Sequence, residues 1–64
     1  MENISIDVEE LYGLDRIQQA QRFEEAHRRI DAVQRIAPND PAVMKWIERQ
    51  RQRLTDMQQH IFEN

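Results

Sequence analysis

The four residues Pro38-Asn39-Asp40-Pro41 constrain this chain more than any other stretch. Proline disfavours helical backbone in its predecessor and carries no amide hydrogen, so a helix arriving from the N-terminal side stops before Pro38. Asp40 is a strong N-cap and Pro41 suits the first helical position, so a second helix starts at once. From Asp15 to Ala37 nothing breaks a helix, and Ala, Gln, Glu and Arg dominate. The same holds from Pro41 to about Ile61. A connection of about four residues lays two such helices antiparallel. The expected class is therefore all-α: a helical hairpin of about residues 15–37 and 41–61.

Each helix carries an apolar seam. Phe23, Ala26, Ile30, Val33 and Ala37 recur every three or four residues, as do Val43, Ile47, Gln50, Leu54, Met57 and Ile61. The second stripe is narrow, closer to a coiled-coil seam than to a broad globular face. Antiparallel pairing sets Val33 and Ile36 against Val43 and Ile47, Phe23 and Ala26 near Gln50 and Leu54, and Ile17 and Ala20 near Met57 and Ile61. Gln50 is the one polar seam position. It either fixes register or sits at the edge and reaches solvent, and the second is expected. Leu14, Ile17 and Ala20 drift off the later seam, so the start of this helix turns its apolar side elsewhere, toward residues 4–12.

The N-terminal segment reads differently. Ile4-Ser5-Ile6-Asp7-Val8 alternates with the period of a strand. Asp7 and Glu10 have capping-box spacing, and Ile6 and Leu11 have staple spacing. The expectation is an extended arm over residues 1–6, then a helix over 8–37 with a break near Gly13, where Asp15 offers a second cap. The arm either lies across a neighbouring molecule or adds to a partner's sheet edge, or else Ile6 staples the helix and the rest is loose.

The formal charge of −3 hides a pattern. Residues 1–15 carry five acids and no base, residues 16–53 nine bases and five acids, and residues 54–64 two acids. Eight of the nine bases are arginine, whose planar fork suits carboxylates, phosphates and interfaces. Glu24–Arg28, Glu25–Arg29 and Asp31–Arg35 stand four apart, acid first, and mark the outer face. A nucleic-acid role would use Arg22, Arg28, Arg29, Arg35, Arg49, Arg51 and Arg53, but the acidic balance and the acid–arginine pairing disfavour it.

Residues 23–41, FEEAHRRIDAVQRIAPNDP, resemble the second helix of a tetratricopeptide repeat and its turn. Phe23, Ala26, Ile30, Val33, Ile36 and Pro38 match that repeat's aromatic, small, large, small, aliphatic and proline positions in order. The resemblance covers 19 of 64 residues. The first helix of the repeat departs from the pattern, because its large-residue and glycine positions fall on Glu10 and Leu14, and its turn is missing at Gln19–Arg22. The resemblance implies protein–protein scaffolding.

Chemistry is sparse. There is no cysteine, so disulfides and thiolate metal sites are excluded. With Gly13 the only glycine, no phosphate loop exists. His27 lies three and four residues from Glu24 and Asp31, but competing arginines favour a surface histidine over a metal ligand. His60 suits the last turn of the second helix. No catalytic, cofactor or metal residue is expected, and the chain is read as non-enzymatic with no small-molecule ligand. No apolar run reaches the roughly 18 residues of a membrane span, and no signal peptide is visible. The expected setting is cytoplasmic or within a virion, and size alone suggests an accessory protein of a phage particle or secretion machine.

A single domain of 64 residues buries only about 60% of its unfolded surface. Two helices give a contact line but no enclosed core, so something else must cover Ile4, Ile6, Leu11, Tyr12, Met44, Trp46, Met57, Ile61 and Phe62. Those nine are the expected partner-binding residues. The function expected is helix packing against a protein partner or further copies, as a structural subunit or as an inhibitor docked on an enzyme or transcription factor.

Overall fold

The computed structural model describes residues 3–63. Met1 and Glu2 of the expected arm lie outside them. Three helices follow an extended stretch: α1 (Val8–Tyr12), α2 (Arg16–Ile36) and α3 (Pro41–Phe62). The fold is the expected all-α hairpin, with α2 packed along α3. It is elongated, 37 × 17 × 16 Å. Its radius of gyration of 12.6 Å exceeds the about 11 Å of a compact chain of this length.

Local chemistry explains each boundary. The Asp7 carboxylate accepts from the amides of Glu9 and Glu10 and starts α1. Glu10 does not close the box; it reaches Arg22 on α2 at 3.0 Å. Asp15 and Gln18 form a complete capping box at the start of α2. Asp40 caps α3 through the amides of Ala42 and Val43, with Pro41 in the first turn. Asp15→Ala should cost about 1 kcal/mol, the usual loss for an N-cap, which lowers the melting temperature by roughly 4–8 °C in a domain of this size. An unchanged thermal melt would show that Asp15 does not organise α2.

Both seams are buried as expected. Phe23, Ala26 and Ile30 from α2 meet Val43, Ile47, Leu54 and Ile61 from α3, with Trp46 and Leu11 in the same core. Val33, Ala37, Met57 and Phe62 pack at its margin. Phe23 meets Phe62 edge-on, with ring centroids 5.7 Å apart.

Three readings are corrected. Ile36 and Ile17 do not face α3; they are 83% and 72% exposed, and Ala20 is exposed too. At about 100° per residue, Ile36 lies about 120° round the helix from Ile30, and Ile17 as far from Phe23. Gln50 does not reach solvent but is 2% exposed. Asp31 does not serve Arg35; it crosses to Arg51 on α3 at 2.7 Å.

The arm supplies what the hairpin lacks. It lies along its own hairpin, with Ile4, Ile6 and Val8 packed on the core and Ser5 and Asp7 turned outward. With α1 it forms the third layer, so Leu11 is 1% exposed and Trp46 is buried without any second molecule. The need for an outside cover over Leu11, Trp46 and Ile61 disappears.

Candidate interaction surfaces

An extended segment that joins no sheet still has to satisfy its peptide groups. Here α3 side chains do so. The Ile4 amide donates to Gln50 Oε1 at 3.0 Å, Gln50 Nε2 donates to Asn3 Oδ1 at 2.8 Å, and Arg53 Nη1 donates to the Ile4 carbonyl at 2.9 Å. The Gln50 oxygen and the Arg53 guanidinium thus take, at Ile4, the acceptor and donor places of a neighbouring strand, while the Gln50 Nε2 holds the Asn3 side chain. A lysine or glutamate in place of Gln50 would supply only one of its two roles.

Two further polar ties hold the layers together. Gln19 Nε2 donates to the Leu11 carbonyl at 2.7 Å, and the Tyr12 hydroxyl lies 3.0 Å from His60 Nε2, so α1 is fastened to both long helices. His27 Nε2 lies 3.1 Å from Gln58 Oε1, and its Nδ1 3.4 Å from Arg51 Nη1. Arginine only donates, so Nδ1 accepts and the proton sits on Nε2. His27 is thus a half-buried strut between α2 and α3, not the expected surface histidine. Glu24 is engaged by Arg28 at 2.7 Å, as Asp31 is by Arg51.

The arginines are mostly occupied. Arg22, Arg28, Arg29 and Arg51 pair with carboxylates, and Arg53 serves the arm. Of the seven proposed for phosphate, Arg35 and Arg49 are left without a partner among the described residues. These ion pairs are half or more exposed for the most part, and each contributes at most about 1 kcal/mol.

The nine expected partner-binding residues separate into two groups. Leu11, Trp46 and Ile61 are buried within the chain, and Ile4, Ile6, Met57 and Phe62 are half-buried against its core. Tyr12 and Met44 remain open, 62% and 54% exposed. Ile17 and Ile36 join them, although antiparallel pairing had set both against α3. Ile36 and Met44 flank the turn between α2 and α3. Tyr12 and Ile17 lie at the opposite end, since Ile17 is 19 residues from Ile36 along α2, about 28 Å.

A cleft of about 140 Å³ lies between the arm and α2, lined by Ser5, Glu10, Arg22, Glu25 and Arg29 among others. Drug-sized ligands occupy pockets of about 300 Å³ or more. A broader depression touches only Glu48, Arg49, Arg51, Gln52 and Thr55, all on α3, and is open helix surface. Among the described residues no group of three metal-ligating side chains converges, and no helix is long and apolar enough to cross a membrane.

Comparison with models of known protein families, with curated proteins and with solved structures finds no match. The tetratricopeptide-like stretch lies in the second part of α2 and the turn, and α2 runs unbroken through Gln19–Arg22.

Proposed function

We propose that this protein is a small, non-enzymatic interaction or structural subunit that works by helix packing in a larger assembly. The observation that carries the reading is the distribution of exposed apolar side chains. The chain buries its core with its own arm, yet leaves Ile36 and Met44 open at one end of a 37 Å rod and Tyr12 and Ile17 at the other. The flanks between are charged and largely self-paired. A rod with polar sides and apolar ends is built to be held by its ends. The scaffolding implied by the tetratricopeptide resemblance points the same way, since Ile36 and the Pro38–Pro41 turn belong to one of these ends.

The test is the mass of the tagged chain in extracts of its native source and after purification. It should travel in a complex larger than the monomer. Ile36→Asp with Met44→Asp should return it to monomer mass with its melt shifted by no more than an exposed substitution allows, about 0.5 kcal/mol per site. A wild-type chain that is monomeric in extract and alone would overturn the reading.

A further inference from the structure

The seat of the arm on α3 is a built recognition site for an extended chain, and we infer that it also accepts the arm of a second copy. The inference rests on the subunit reading and names one partner for it. Three features carry it. Gln50 is the buried polar side chain of the core, and both ends of its amide are committed to the arm. Arg53 completes the grip on Ile4, so one residue is held through its amide and its carbonyl together. Side chains Ile4 and Ile6 drop onto the core while Ser5 between them faces out, which is how extended peptides are read by a groove.

Every one of these contacts is between the arm and the hairpin, and the two are joined through the short linker Gly13–Asp15. An arm from another copy would make the same contacts, so exchange costs no interaction; it replaces an intramolecular event by an intermolecular one. A short linker holds its ends at an effective concentration in the millimolar range. The arm is docked in its own chain, so its affinity for the seat corresponds to a Kd below about 1 mM. At micromolar concentration the arm stays on its own hairpin. Where copies are crowded, or where one seat is vacant, it bridges two.

The experiment vacates one seat and frees one arm. An acceptor chain carries Ile4→Asp and Ile6→Asp, which releases its arm and leaves its α3 intact. A donor chain carries Gln50→Leu and Arg53→Glu, which spoils its seat and leaves its arm intact. Both chains also carry Ile36→Asp and Met44→Asp, which remove the contact proposed above, and each alone should sediment as a monomer. Their equimolar mixture, titrated up to about 1 mM, should form a 1:1 complex of twice the chain mass. Helical circular dichroism of both variants with no complex in the mixture would overturn the inference while leaving the test of Ile36 and Met44 untouched. Should either variant lose its helical signal, wild-type chains settle the matter. Labelled and unlabelled chains mixed at about 1 mM should show nuclear Overhauser contacts between Ile4 of one copy and Gln50 of another. Contacts confined to single chains would refute it.

Discussion

Phe23→Ala should bring this protein close to global unfolding. Phe23 is 1% exposed and opens the α2 seam, edge-on to Phe62 from the last turn of α3. Truncating a buried Phe costs about 3–5 kcal/mol, the sum of lost transfer energy and of the cavity left behind. A chain of this length has a total stability on the order of 3–10 kcal/mol. One substitution therefore removes a large share of it, and the edge-on ring pair goes as well. Urea unfolding followed by helical circular dichroism should show the midpoint fall sharply with little change of slope. A loss below about 1 kcal/mol would mean that α2 and α3 are not packed through this residue.

That core was largely legible in the residues. The Pro38–Pro41 break, the three aspartate caps and the two seams all act within one helical turn or along one helix face, and local spacing reports such effects. What escaped was tertiary. Gln50 reads as a flaw in an apolar stripe, because spacing cannot show that the arm returns from 46 residues away to use its amide. The arm's own alternation was visible, but it was read either as seated on another molecule or as loose beyond an Ile6 staple, since the hairpin alone has no strand to offer. A side-chain amide and a guanidinium took the strand's place. Ile36 and Ile17 were set against α3 by antiparallel residue pairing alone, although their angle on the helix places them outside. The pairing of Asp31 with Arg51 rather than Arg35 has the same origin, for a contact across helices competes with the four-residue spacing along one. The proposed interaction ends of the rod are where the fold leaves apolar side chains exposed.

Leu11→Ala addresses whether the third layer is part of the core or a loose cover. Leu11 is the buried residue of α1, and α1 is only five residues long, too short to hold its shape unaided. Its carbonyl is fixed by Gln19 and its neighbour Tyr12 by His60, but the first bond is only part-buried and the second is exposed. The side chain of Leu11 therefore anchors the segment. Its truncation should cost about 2–5 kcal/mol if the site cannot collapse. The loss should also be uneven. Amide hydrogens of Ile4 and of Leu11 itself, which donate to Gln50 and to the Asp7 carbonyl, should exchange with solvent much faster, while those in the middle of α2 and α3 accelerate least and remain limited by global unfolding. Such a pattern would make α1 and the arm one cooperative unit that leaves the hairpin together, as arm exchange between copies requires. If all protected amides instead accelerated equally, arm and hairpin would unfold as one body, and the hairpin would have no folded state in which its seat stands open.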